Sequence, residues 1–127
     1  MIDFAKADLL AYQNKNIEAI ATYNKILEKY QGQNIEDETM FNQAAIYLKE
    51  KQYDKAISNL LKITTINADG ILVDDSYYLL AEIYKNNIKD TKTASAYYKK
   101  IIFDKPSSIY LVNARKKYRE LRGDVVN

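Results

Sequence analysis

The sequence predicts an all-α protein made of three helical hairpins and one further helix. Only three Gly and one Pro occur among 127 residues, too few turn-forming residues for an all-β chain. Apolar residues recur every three or four positions, which is typical of amphipathic helices. The chain also matches itself when it is shifted by 37 residues. Such a fixed period is the signature of a repeat architecture.

Small residues define the repeat. In the first helix of each hairpin they lie 37 residues apart, at Ala7, Ala44 and Ala81. In the second helix they lie 37 and then 38 residues apart, at Ala19, Ala56 and Ala94. Small side chains allow two helices to approach closely, so we expect these alanines where the helices of each hairpin meet. The one extra residue is expected in the turn formed by residues 86–93.

The periodic stretches and their flanking residues predict the helix boundaries. We expect one domain over residues 1–127, with repeats at about 2–30, 38–65 and 74–103 and a capping helix at about 108–122. The expected loop 31–37 surrounds Gly32. The expected helix caps and stops are Asp74 or Asp75, Asp90 or Thr91, Ser107 or Ser108, and Gly123.

The unit from Ala44 to Ile63 resembles the tetratricopeptide repeat. The motif positions are occupied by Met40, Ala44, Tyr47, Ala56, Leu60 and Ile63, and again by Tyr77, Ala81, Tyr84, Ala94, Tyr98, Ile101 and Pro106. The first unit matches through Ala7, Leu10, Ala19, Tyr23 and Ile26, but Asp3 replaces its large opening residue. The resemblance implies a right-handed superhelix that serves as a non-catalytic scaffold for a protein or peptide partner.

In this family partners commonly lie along a concave groove lined by the first helices. The resemblance carries that groove onto Phe4, Asp8, Ala11 and Tyr12, then Phe41, Ala45, Leu48 and Lys49, then Tyr78, Glu82, Lys85 and Asn86. Aromatic residues flanked by Asp8 and Glu82 would suit a peptide with apolar and basic side chains. The alternative is that Phe4, Phe41 and Tyr78 serve only to pack. The Lys and Asn pattern by which chaperone-cofactor members hold a terminal carboxylate is not present.

The stretch Lys99 to Gly123 resembles repeats of bacterial cell-envelope proteins, such as the TolA-binding periplasmic protein and the lipoprotein of the outer-membrane β-barrel assembly machine. This resemblance implies the periplasm, with the chain as the C-terminal structural segment of a longer solenoid. A cytoplasmic adaptor is the alternative. Self-association through the terminal repeats is a further expectation, because an incomplete first unit would leave apolar surface exposed.

Composition excludes several functions. The chain has no Cys and no His, so disulfides, thiol nucleophiles, imidazole bases and the commonest zinc sites are absent. The acidic groups at 36–38 and 74–75 lack the spacing of a calcium loop. No Gly-rich phosphate loop and no apolar run of about 20 residues occurs. We therefore expect no catalysis, cofactor, metal, small-molecule substrate or membrane insertion.

Net charge is only +2, but the arginines are clustered. A basic patch on the last helix is formed by Arg115, Lys116, Arg119 and Arg122. It could contact phosphates of a nucleic acid or an acidic surface. The sequence favours the alternative, a solvated face, because basic residues are stabilised near a helix C-terminus.

Overall fold

The computed structural model describes residues 2–30, 34–66 and 68–123, with only the backbone described at Ile2 and Asn34. Within these residues the chain forms seven α-helices and one π-helical turn. They are α1 (Ile2–Tyr12), α2 (Asn16–Lys29), α3 (Asn34–Lys49), α4 (Tyr53–Ile66), α5 (Val73–Ile83), the π turn (Tyr84–Ile88), α6 (Thr91–Asp104) and α7 (Leu111–Arg122). Helices α1 to α4 form one compact unit and α5 to α7 a second. The predicted all-α class of paired antiparallel helices is confirmed.

In the first unit, consecutive helices pack on one another. Ala7 and Ala19 are fully buried where α1 meets α2, so the predicted close approach is confirmed. Tyr23 and Ile26 complete this core together with Ile46 of α3. The second hairpin continues the pattern, since Ala44, Ala56, Leu60 and Ile63 are completely buried.

A polar network crosses the three helices α2, α3 and α4. The Asn59 amide donates to Gln43 Oε1 at 2.9 Å, and the Gln43 amide donates to Asn24 Oδ1 at 2.7 Å. Gln43 is only 2% exposed, so these bonds offset the cost of burying its amide. Two tyrosines at motif positions are not fully buried. Tyr47 and Tyr84 are both half-buried, and Lys55 Nζ lies 5.7 Å from the ring centroid of Tyr47.

In the second unit α6 packs against both α5 and α7. The core joins residues of all three helices and consists of Ala81, Ala94, Tyr98, Ile101 and Ala114. The fully buried Ala114 brings α7 close to the α5–α6 hairpin. The last helix therefore covers this hairpin as a cap.

The turns explain the extra residue of the third hairpin. Asn14 and Lys51 have positive φ angles of 61° and 59°, and the next residue donates to the carbonyl five positions earlier, as in a Schellman motif. In the third hairpin the positive φ falls on Lys89, and Asp90 N donates to the Tyr84 carbonyl six positions earlier at 2.8 Å. The insertion therefore lies between Tyr84 and Lys89. A π turn absorbs it there, so the insertion begins earlier in the chain than the predicted range of 86–93 and overlaps that range only in part.

Two helix starts differ from the prediction. Helix α3 begins at Asn34, within the expected loop 31–37; Gly32 lies outside the described residues. Glu36 and Asp37 occupy its first turn, where the helix dipole favours carboxylates, but burial and the adjacent Glu36 raise the pKa of Asp37. Helix α5 begins at Val73 after Leu72, which makes no side-chain cap bond. The expected caps Asp74 and Asp75 lie one and two residues inside the helix.

The later boundaries follow the prediction more closely. Asp90 caps α6 by accepting a hydrogen bond from Thr93 N at 3.0 Å, and Gly123 ends α7 with φ of 89°. Neither Ser107 nor Ser108 caps α7, which begins only at Leu111. Ser108 instead accepts from Tyr110 N and donates to Asp74 Oδ2 at 2.5 Å. Ser108 therefore connects the segment just before α7 with the first turn of α5.

Candidate functional site

Residues of helices α1, α2 and α3 line an open cleft of about 660 Å³. Six of the predicted groove residues line it, namely Asp8, Ala11, Tyr12, Ala45, Leu48 and Lys49. The rest of its surface comes from Tyr23, Asn42 and Ile46. The structure thus brings together side chains from two successive hairpins. We call this feature the α1–α3 cleft.

The floor of the α1–α3 cleft is polar. The Tyr23 hydroxyl donates a hydrogen bond to Asp8 Oδ1, and the Asn42 amide donates to the same oxygen at 3.3 Å. Burial and the bond to Asp8 raise the pKa of Tyr23, so its hydroxyl stays a neutral donor at physiological pH. Within the described residues, Asp8 Oδ2 accepts no hydrogen bond. The cleft therefore presents a carboxylate with one oxygen open to a ligand.

The walls of the cleft are mostly apolar. Tyr12 leaves 87% of its surface exposed, Ala45 is exposed and Leu48 is half-buried. Lys49 brings a cation to the rim, where its Nζ donates to Asn14 Oδ1 at 2.7 Å. This contact ties the end of α3 to the turn between α1 and α2.

Two predicted groove residues of the first unit do not line the cleft. Phe4 is half-buried and packs edge-on against Tyr23, with 6.0 Å between ring centroids. Phe41 is half-buried as well. For Phe4 this contact supports the packing role that the sequence left as an alternative.

In the second unit the predicted groove residues contact α7 and the residue that precedes it. Tyr78 stacks on Tyr110, with ring centroids 4.6 Å apart and planes inclined by 19°. Burial and the neighbouring Glu82 raise the pKa of Tyr78 to about 12. Glu82 Oε1 lies 3.7 Å from Lys117 Nζ, and its Oε2 accepts from the Asn86 amide at 2.9 Å. Both carboxylate oxygens of Glu82 are therefore occupied.

Lys85, another predicted residue of this group, is half-buried. Burial and the nearby Lys117 lower its pKa. Tyr78, Glu82 and Lys85 do not belong to the α1–α3 cleft. A role for them in binding stays a prediction.

The acid and tyrosine of the cleft floor recur in the third hairpin. Asp8 and Tyr23 correspond to Glu82 and Tyr98, and burial and Glu82 raise the pKa of Tyr98. At the corresponding positions the second hairpin has Ala45 in place of the acid and Leu60 in place of the tyrosine. The two acids differ in what is supplied by the helix after their hairpin, which is a neutral amide from α3 for Asp8 and an ammonium group from α7 for Glu82.

Sequence reasoning missed three residues of the cleft, Tyr23, Asn42 and Ile46. The sequence identified Tyr23 only as a repeat-motif position; its side chain is 1% exposed, yet its hydroxyl reaches the cleft. A signal was present, because a buried tyrosine hydroxyl needs a partner and Asp8 is an acid on the adjoining helix. Asn42 and Ile46 had no comparable signal, since their position depends on how α3 packs against α1 and α2.

The predicted basic patch belongs to α7 of the second unit. Arg115, Lys116, Arg119 and Arg122 are all exposed on α7. Arg122 also lies over the Tyr118 ring, with Cζ 5.3 Å from its centroid. Contact with phosphates or an acidic surface stays a prediction for these residues.

Two further properties concern the described residues as a whole. None of their helices is both long and apolar enough to cross a membrane. They also contain no cluster of three or more acidic, His or Cys residues that could bind a metal ion.

The tetratricopeptide repeat family model matches residues 37–69 and 74–102. The first match covers most of α3 and all of α4, and the second covers nearly all of α5 and α6. The hairpin of α1 and α2 lies outside both matches, as expected from the exposed Asp3 at its opening position. A comparison with curated proteins gives no significant match to the chain.

Proposed function

Because residues 37–69 and 74–102 of this chain match the tetratricopeptide repeat family, we propose that the chain binds a segment of a partner protein in the α1–α3 cleft. Domains of this family generally act as protein–protein interaction scaffolds and are typically non-catalytic. The observation that carries the proposal is the open cleft of about 660 Å³ that unites six of the predicted groove residues.

The chemistry of the cleft supports a peptide as its ligand. Its apolar walls can cover aliphatic or aromatic side chains, while Asp8 and Asn42 offer polar groups that fix orientation. An enzymatic role gains no support from the same groups. The raised pKa of Tyr23 keeps its hydroxyl protonated, so this side chain cannot serve as a base near neutral pH.

The test is peptide display against the purified chain, followed by affinity measurements with a blocked cleft. Ala45→Arg would place a long side chain in the cleft from an exposed position, where the fold should tolerate it. Ala21→Arg makes the same change at an exposed position of α2 outside the cleft. Circular dichroism would verify that both variants fold.

We expect peptides selected on the wild-type chain to lose at least about tenfold in affinity with Ala45→Arg and to bind Ala21→Arg unchanged. The proposal fails if the selected peptides ignore Ala45→Arg, or if repeated selections enrich no peptide.

A second candidate is a structural role as the terminal segment of a longer solenoid in the cell envelope. It rests on the resemblance of Lys99 to Gly123 to envelope repeats. The observation that favours it is an exposed apolar edge on and beside α7, where Ile109 and Val112 are 86% and 74% exposed. In solenoids such edges are covered by a neighbouring repeat. Fractionation of the native cells would test the location, and recovery from the cytoplasm alone would reject it.

A further inference from the structure

We propose that the α1–α3 cleft selects a partner segment that places an arginine side chain against Asp8. This inference rests on the proposed peptide-binding function and specifies its ligand. It concerns Asp8 and not Glu82, the other predicted acidic groove residue. The reason is that Glu82 is paired with a cation, whereas the partners of Asp8 are neutral.

The charge of Asp8 is not compensated within the described residues. Its Oδ1 accepts from two neutral donors, Tyr23 and Asn42, and its Oδ2 accepts from none. At Glu82 both oxygens have partners and one of the partners is the cation Lys117. A cationic ligand would therefore gain a charge-assisted hydrogen bond at Asp8.

The walls suit the shape of an arginine. Its aliphatic stem can pack on the apolar side chains of Ala11, Ala45 and Leu48. The largely exposed Tyr12 ring lines the same cleft, and guanidinium groups stack on aromatic faces better than ammonium groups do. These features favour arginine over lysine.

Lys49 is the one positively charged residue among the described residues that line the cleft, and its charge would repel a cationic ligand. Its Nζ is bound to Asn14 at the rim, 2.7 Å from Oδ1, and so it does not compensate Asp8. Removing its charge should strengthen the binding of a cationic side chain. If Lys49 determined specificity instead, the cleft would prefer an acidic side chain.

The experiment uses three small probes and an NMR titration of the full chain. The probes are N-acetyl-arginine-N-methylamide, its citrulline analogue, which has nearly the same shape but no charge, and the glutamate analogue. We expect the arginine probe to shift the amide signals of Asp8, Asn42 and Leu48 and to bind about tenfold more tightly than citrulline.

Variants separate Asp8 from its neighbours. Asp8→Asn keeps an acceptor for Tyr23 but removes the charge, and it should abolish the preference for arginine over citrulline. Lys49→Gln should keep or increase that preference. Asp3→Asn, the matched control, removes an exposed α1 charge outside the cleft and should change nothing.

Three results would overturn the inference. The first is that the arginine and citrulline probes bind equally or that neither binds. The second is that Asp8→Asn still prefers arginine over citrulline. The third is that the glutamate probe binds more tightly than the arginine probe. The proposed function would stand in each case, provided that selected peptides still depend on Ala45. If no selected peptide depends on Ala45, both proposals fail together.

Discussion

Lys117 of α7 lies within 3.7 Å of Glu82 of α5, whereas the corresponding acid of the first hairpin, Asp8, receives the neutral amide of Asn42 from α3. The two acids occupy equivalent positions on their helices. The helix after each hairpin therefore decides whether the charge of an acid at this position is compensated within its own unit or left to interact with a ligand.

The ion pair of Glu82 and Lys117 should contribute measurably to stability. Their side chains are only 21% and 30% exposed, respectively, so solvent screens the pair incompletely. We expect Lys117→Met to lower the free energy of unfolding by about 1 kcal/mol. Urea unfolding would measure this. The adjacent exposed Lys116→Met is the control and should change stability by less than about 0.5 kcal/mol; equal losses in the two variants would contradict the prediction.

Leu60 should be among the most sensitive core positions, since its side chain is completely buried between the helices of the second hairpin. We expect Leu60→Ala to cost about 2–5 kcal/mol, because it removes buried apolar area and leaves a cavity. Leu61 is 37% exposed, and Leu61→Ala should cost far less. Denaturant midpoints followed by circular dichroism test both, and similar losses would argue against the assigned core.

The positive φ angle at Lys51 makes a stabilising substitution available. Lys51 has φ of 59°, a conformation that costs most non-Gly residues energy and that Gly adopts readily. Lys51→Gly should raise the free energy of unfolding by about 0.5–1 kcal/mol. The same change at the preceding Glu50, where φ is not positive, should destabilise the chain. Thermal unfolding distinguishes the two, and a fall in melting temperature for Lys51→Gly would refute the prediction.

Stability should decrease in alkaline solution through Tyr110. Its hydroxyl donates to Asp75 Oδ1 at 2.6 Å, and this bond, with burial, raises the pKa of Tyr110 to about 12. The unfolded value is about 10. The folded state therefore favours the protonated form, and its contribution is complete below pH about 10 and is lost as the pH rises to about 12.

The matched variant for this titration is Tyr110→Phe, which keeps the ring beside Tyr78 but has no proton to lose. We expect the free energy of unfolding to fall less steeply between pH 10 and 12 in Tyr110→Phe than in the wild-type chain. Urea unfolding at several pH values measures both slopes. Parallel curves would show that Tyr110 does not carry this pH dependence.

Much of the fold could be predicted because it depends on local periodicity. The spacing of Ala7, Ala44 and Ala81 identified one helix of each hairpin, and all three alanines are completely buried. Pattern alone could not place Asp74 and Asp75. Both were expected to be helix caps, yet each accepts a hydrogen bond from the segment just before α7. These two contacts join residues that are 34 and 35 positions apart in the sequence.

The candidate site was only partly predictable for the same reason. The repeat pattern selected Asp8, Tyr12 and Leu48, which line the α1–α3 cleft. It treated Asp8 and Glu82 as equivalent, because a repeat alignment records the residue and not what lies opposite.

The sequence by itself determined which residues form helices and which of their faces are buried, since helical spacing and side-chain polarity are properties of each segment. The tertiary structure alone decided which acid is open to a ligand. That outcome depends on the side chain that the helix after the hairpin places beside the acid, Asn42 in one unit and Lys117 in the other.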